Sequence, residues 1–145
     1  MSGYLVKMLI DATNQIVGRL CSVVAKHALL GEKIDIINSE NAVVSGRREE
    51  VLAAFARRVD RGTWAKGPHY LRSPDMLLKR LMRDMLPYKQ ERGIKAYKNV
   101  MCWKGVPAQF KDKKATSIKE ADASKLTIKS VSLKEISKFV GGNFD

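Results

Sequence analysis

The chain has little of what staples small secreted domains or builds metal centres: two cysteines, two histidines, four prolines and 7% aromatic residues among 145. Cys21 and Cys102 stand far apart with no CxxC pairing, which suits two reduced, buried thiols and excludes a disulfide framework. His27 and His69 belong to no HExxH and to no Cys/His ligand spacing, so no candidate metal site arises. No uninterrupted apolar segment approaches the roughly 18 residues that a membrane span requires. No N-terminal stretch combines basic residues, a long apolar run and a small-residue cleavage site. The expectation is a soluble, unexported, cytoplasmic chain with no membrane partner. Acidic charge is scarce as well, since 27 Lys/Arg against 15 Asp/Glu leave a net charge of +12.

What remains suffices for one ordinary domain. A chain of this length buries roughly two-thirds of its unfolded surface on folding, and a hydrophobic content of 45% supports such a core. The charge is segregated. Residues 1–56 carry six Lys/Arg and six Asp/Glu, residues 57–114 carry sixteen and five, and the remainder five and four. Charge spread for solubility would not concentrate in one block, whereas a surface facing a polyanion would, because each basic group near a phosphate releases condensed counterions. Nucleic acid or an anionic membrane fits; an ordinary metabolic enzyme fits less well.

The chain alternates strand and helix patterns. Residues 7–11, KMLID, read as a short apolar strand, and Thr13 or Asn14 offers an N-cap for a helix over residues 16–30 that Gly31 ends. On that helix Ile16, Val17, Leu20, Val23, Val24 and His27 share one side, while Arg19, Ser22 and Lys26 share the other. KIDIINS is a second strand and NAVV a short third. Ser45 can cap the next helix, whose first turn carries Glu49 and Glu50, where the macrodipole favours negative charge. Residues 99–103, NVMCW, supply a fourth strand. Strands separated by helices of this length predict a parallel or mixed sheet with helices on both faces.

Residues 61–72, RGTWAKGPHYLR, form a loop by composition, mixing glycine, proline, rings and basic groups. Ser73 and Pro74 then open a helix that reaches about Leu86, with Leu77, Leu78, Leu81, Met82 and Met85 on one arc and Lys79, Arg80 and Arg83 filling the opposite arc, a basic face that the basic loop before it and the stretch after it extend beyond a merely solvated one. Pro87 stops it. Lys89 and Arg92 project from the stop, and a short helix over residues 90–98 adds Lys95. Residues 111–125, polar and lysine-rich, read as an extended or disordered arm. A small final helix is capped by Ser132 and stopped by Gly141.

Enzyme signatures fail individually. The strand–loop–helix at residues 8–20 has only Gly18 and lacks GxGxxG, and the GxxxxG spacing of Gly62 and Gly67 is followed by Pro68 and His69 where a phosphate-binding loop needs Lys and Ser/Thr. His27 lies on the apolar side of its helix and suits a core imidazole. His69, beside Tyr70 in the basic loop, is placed to stack or hydrogen-bond RNA. No paired carboxylates can be assigned to acid/base work from spacing.

IDATNQIVGRLCSVVAKHALLGEKIDIINSENAVVSG resembles the N-terminal half of the large-subunit ribosomal protein L-thirteen family: Asp11 follows the first strand, Gly18, Arg19 and Leu20 enter the first helix, a leucine pair with Gly31 closes it, and Asn38-x-Glu40 precedes Ser45-Gly46. KGPHYLRSP and MLPYKQERG resemble that family's second signature region, and the short connection between Ser45 and Ser73 resembles its archaeal and eukaryotic branch. The similarity covers residues 7–107, with a weaker echo in the final helix. It implies an α/β fold of three layers, α/β/α, around a small, mostly parallel four-stranded sheet, with residues 1–110 as the domain and residues 111–145 as a polar arm and short helix. It also implies a structural protein of the large ribosomal subunit, active in translation and ribosome assembly, that binds large-subunit rRNA beside neighbouring ribosomal proteins, with no catalysis, no cofactor and no small-molecule substrate. The expected rRNA-binding residues are Arg57, Arg58, Arg61, Trp64, Lys66, His69, Tyr70, Arg72, Lys79, Arg80, Arg83, Lys89, Arg92 and Lys95. The competing expectation is a nucleotide-dependent α/β enzyme acting on RNA, which nucleotide binding by the isolated protein would reveal.

Overall fold

The structure is a computed structural model describing residues 8–142; Lys7, the expected first residue of the opening strand, lies outside them. In chain order the elements are β1 (Met8–Asp11), α1 (Val17–Leu29), β2 (Ile34–Ile37), β3 (Val43–Ser45), α2 (Arg48–Asp60) and α3 (Pro74–Arg83). There follow α4 (Glu91–Lys98), β4 (Val100–Cys102), β5 (Ser130–Ser132) and α5 (Leu133–Phe139), with short 3₁₀ turns between.

The central sheet runs in the order β1-β2-β4, with every pair parallel. Register and the two-residue strand period explain how it is covered. Ile10, Ile36 and Cys102 align on one face, alongside Ile34 and Val100, and join one buried cluster to which all five helices contribute, through Leu20, Phe55, Leu77, Ala96 and Ile136 among others. Leu9 and Ile37 point the other way and pack on Phe110, with Trp103 and Ala115 beside it. The layer on that face is thus the irregular segment 103–115, with one 3₁₀ turn, Ala108–Phe110, where a helical layer was expected. The sheet has three strands, not four, because β3 leaves it to pair antiparallel with β5.

Three helix starts and stops differ from expectation for local reasons. Neither Thr13 nor Asn14 caps α1: the Thr13 amide and hydroxyl donate to Asp11 Oδ1 at 2.9 and 2.7 Å, and Asn14 sits at φ 55°. The chain then runs extended through Gln15 and Ile16, bridging Asp122 and Val43, before the helix begins. Ser45 cannot cap α2 because it belongs to β3, opposite Ser130, so Arg47 takes the N-cap position. The third helix ends at Arg83, short of Leu86; Met85 is 44% exposed and the buried residue of that turn is Leu86. At the C-terminus Ser132 caps α5 as expected, its hydroxyl accepting from the Glu135 amide at 3.3 Å, and Gly141 follows at φ 87°.

Residues 111–125 are no loose arm. Thr116 lies along β1, its amide donating to the Leu9 carbonyl at 2.9 Å and its carbonyl accepting from the Asp11 amide at 3.0 Å. Ala121 is fully buried and its carbonyl accepts from Ile16 N at 2.7 Å. His27 is half-buried at the end of α1, with Nδ1 3.0 Å from Glu32 Oε2, so it is a hydrogen-bond partner of that carboxylate and not a core imidazole. Cys21 and Cys102 are both free and buried.

Candidate nucleic-acid interface

The basic loop is a tight reversal. Thr63 and Gly67 exchange backbone hydrogen bonds of 3.2 and 2.8 Å, and the Lys66 amide donates to Thr63 Oγ1 at 3.3 Å. Glycine is required at Gly62, which sits at φ 80° and where a Cβ would lie 2.0 Å from the Gly67 carbonyl oxygen. The reversal carries Trp64 at its tip, 93% exposed, with Lys66 and His69 exposed nearby. An isolated aromatic held this far into solvent gains nothing for folding. The returning limb is anchored: Tyr70 packs against the core, and the Arg72 carbonyl accepts from the buried Ser137 hydroxyl at 2.6 Å.

Three arginines from different elements share a cleft with Tyr70. Arg58 from the last turn of α2, Arg61 just after it and Arg80 from α3 line one cleft of about 240 Å³ together with Tyr70 and Asp84. Arg61 and Tyr70 also line the neighbouring cleft, which holds Trp64, His69 and Arg72. Loop and helix therefore present one continuous basic surface. Asp84 tempers it, with Oδ1 at 3.5 Å from Arg80 Nη1.

The cations of α3 lie opposite the leucine stripe as expected but are less exposed than a free basic face. Lys79, Arg80 and Arg83 are each half-buried. Lys79 Nζ lies 4.7 Å from the Tyr97 ring centroid, Arg80 Cζ 5.9 Å from that of Tyr70, and Arg83 Cζ 4.4 Å from that of Tyr88, which also takes Lys89 Nζ at 6.0 Å. Such contacts contribute about 0.5–1 kcal/mol each at exposed sites and fix the direction of a long side chain. Arg83 Nε is buried without a hydrogen-bond partner. Burial pushes the Tyr97 hydroxyl pKa up, against the opposing pull of Arg83 and Arg80 and with a push in the same direction from Cys102, so the ring meets Lys79 uncharged.

Tyr88 is placed by MLPYKQERG. Pro87 starts a turn in which its carbonyl accepts from Gln90 N at 2.9 Å, and α4 then packs directly on that turn through Gly93, where a Cβ would stand 1.9 Å from the Pro87 oxygen. Other expected residues lie apart from the cluster. Arg92 Nε donates to Gln90 Oε1 at 3.3 Å and Lys95 pairs with Glu91 at 2.8 Å, both on the exposed side of α4. Arg57 is exposed in the last turn of α2, beside Arg58, whose guanidinium lies 5.1 Å from the Phe55 ring.

Sequence reasoning missed a second basic cleft, on the reverse face of the sheet, whose lining includes Lys98, Met101, Trp103, Phe110 and Lys113. Its signal was available in the strand period, which puts Met101 and Trp103 on one face of β4 and its continuation. Among the described residues no group of three His, Cys, Asp or Glu side chains is arranged to hold a metal ion, and no helix is long and apolar enough to cross a membrane.

Residues 6–109 match the family model described as Ribosomal protein L13. The large ribosomal subunit protein uL13 of Methanosarcina barkeri is 42% identical over 137 residues, covering 93% of this chain and 98% of the relative. Its namesakes in Picrophilus torridus and Archaeoglobus fulgidus are 40% identical over 136 residues (94% and 98% covered) and 39% identical over 134 residues (91% and 86% covered).

Proposed function

Because the chain belongs to the ribosomal protein L13 family, we propose that it is a structural constituent of the large ribosomal subunit in the cytoplasm, seated on large-subunit rRNA by its basic surface and flanked by other proteins of that subunit. The observation that carries the rRNA contact is the cleft that Arg58, Arg61 and Arg80 share with Tyr70, continued by Arg83 and Lys89 on Tyr88. Folded RNA is held mainly through backbone, shape and 2′-hydroxyl contacts, which dispersed guanidinium and ammonium groups supply, while Trp64 and His69 offer rings for unstacked bases. No catalytic step is assigned to it.

Two measurements test this. If about six to ten basic groups meet phosphates, affinity for a large-subunit rRNA transcript falls by about a thousandfold to a hundred-thousandfold between about 50 and about 200 mM salt. A tagged copy co-sediments with the large subunit in stoichiometric amount. A flat salt response, or a protein confined to ribosome-free fractions, overturns the proposal.

A further inference from the structure

We infer that the RNA interface continues round the edge of β4 into the groove on the reverse face of the sheet, and that this groove takes one unpaired nucleotide of the RNA. The inference rests on the rRNA-binding reading and names a site outside the Tyr70 and Tyr88 clusters.

The groove has a volume of about 480 Å³, within the usual range for a site that encloses a small planar ligand. Its floor is apolar and fixed. Trp103 donates its indole N–H to Asp35 Oδ1 at 2.9 Å and meets Phe110 edge to face at 6.1 Å, with Met101 beside them. Asp35, the acid of the groove, is 8% exposed and its carboxyl group faces that indole. Two side-chain amides, Asn99 and Gln109, line the walls and make no hydrogen bond among the described residues. Lys98 and Lys113 stand exposed at the rim.

An apolar floor whose Trp103 ring can stack on a planar ligand, two side-chain amides, and ammonium groups on either side match a base with its flanking phosphates. An acidic peptide would use the lysines but neither the floor nor the amides. Continuity with the first surface is direct: Lys79, whose Nζ lies over Tyr97, also reaches Met101 Sδ at 3.8 Å. Among the described residues β4 pairs only with β2, so it is an edge strand of the sheet.

The full chain carrying Trp64→Phe leaves Trp103 as its one tryptophan and makes it the reporter. A single-stranded RNA of about ten mixed nucleotides is expected to quench Trp103 emission, whereas a blunt duplex of the same length is not, because its bases stay stacked. Lys98→Gln with Lys113→Gln should weaken the single strand about 25-fold at about 0.1 M salt, the product of two lost phosphate contacts each worth a salt slope of about 0.7. Both lysines are exposed and Lys113 Nζ lies 5.5 Å from the Phe110 ring centroid, so the melting temperature should fall by no more than about 4 °C. Should that variant fail to fold, the comparison of single strand with duplex on the Trp64→Phe protein decides alone. Equal quenching by the duplex, or by polyglutamate at the same salt, overturns the inference. So does an unquenched Trp103 in a protein that still binds the large-subunit rRNA transcript, and in that case the rRNA-binding reading stands. Failure of the wild-type chain to bind the transcript overturns both.

Discussion

Gly93→Ala and Gly18→Ala, the same substitution in two helices, are expected to move stability in opposite directions. At Gly93 the added Cβ falls 1.9 Å from the Pro87 oxygen, 2.3 Å from its carbonyl carbon and 2.9 Å from the Tyr88 amide nitrogen. All three are backbone atoms, so no side chain can rotate aside and the turn must move away from α4. Overpacking costs about 1–3 kcal/mol, and overlap with backbone belongs at the upper end. Alanine's higher helix propensity returns about 1 kcal/mol. The net loss is about 2 kcal/mol, or a fall of roughly 4–8 °C in melting temperature for a chain of this size. At Gly18, exposed in the first turn of α1, the Cβ meets nothing within 4 Å. There the stiffer unfolded chain should win, giving a gain of about 0.4–1 kcal/mol.

The Gly93 substitution also reaches the candidate interface, because the turn it displaces carries Tyr88, the ring under Arg83 and beside Lys89. Thermal melts by circular dichroism, beside titration of the rRNA transcript at several salt concentrations, should show lower stability together with a shallower salt slope for Gly93→Ala and an unchanged slope for Gly18→Ala. If Gly93→Ala melts at or above the wild-type temperature, the close approach of α4 to the Pro87 turn is not a constraint on this fold.

The two arginines of α3 should separate. Arg83→Ala removes a half-buried stem stacked closely on Tyr88 and should cost about 1 kcal/mol, whereas Arg80→Ala, losing a longer 5.9 Å contact with the Tyr70 ring and a 3.5 Å pair with Asp84, should cost about 0.5 kcal/mol. Each should reduce the salt slope of rRNA binding by up to about one unit, and two unchanged slopes would remove this helix from the interface. For Asp11, burial pushes its pKa up, but hydrogen bonds from the Thr13 hydroxyl and amide and from Asn38 outweigh it and leave the folded value below the ordinary one. Its contribution is therefore complete above the ordinary carboxylate pKa of about 3.9 and lost as pH falls through the lowered folded value. Urea melts of wild type and Asp11→Ala should converge as pH drops from about 5 to about 2, and a constant gap would show that the carboxylate charge plays no part. Burial pushes the Cys21 thiol up to about 12 and the Cys102 thiol higher still. Both should resist Ellman's reagent at neutral pH until denaturant is added, and rapid labelling of the native protein would contradict their burial.

Periodic features were legible in the sequence and pairings between distant residues were not. The leucine stripe of α3 identified Leu77, Leu78 and Met82 as core, and all three are fully buried. The strand-helix alternation gave the parallel sheet, since β1, β2 and β4 are each followed or preceded by an amphipathic helix. By contrast β3 and β5 are three residues each and lie some eighty residues apart, too short for a period and too distant for a turn signal to join them. Residues 111–125 looked like an arm because their composition is polar, yet backbone groups of Thr116 and Ala121 bond to β1 and to Ile16, and only three apolar side chains, Ala115, Ile118 and Ala121, pack on the cores. Composition carries no information about main-chain hydrogen bonds. At the candidate interface, the basic block and the ring of Tyr70 within it could be seen in the sequence, but the pairing of its cations with tyrosines could not, because Tyr70, Tyr88 and Tyr97 come from three segments that only the fold assembles.

Those tyrosines change what the basic block can do. A solvated arginine or lysine carries about 2 kcal/mol of rotamer entropy, which a phosphate contact must overcome before it yields affinity. Leaning Lys79, Arg80 and Arg83 on rings restricts them in the free protein, so less of that freedom is lost on binding. A guanidinium stacked on a ring also engages its face while leaving its edge, where the N–H donors lie, for a phosphate. The same arrangement explains why the turn after α3 is built so tightly. Only with a glycine against Pro87 can α4 close on the turn and fix Tyr88 under Arg83, so the backbone constraint at Gly93 and the direction of the Arg83 side chain are two ends of one structural argument. Solubility alone would require neither the ring nor the glycine.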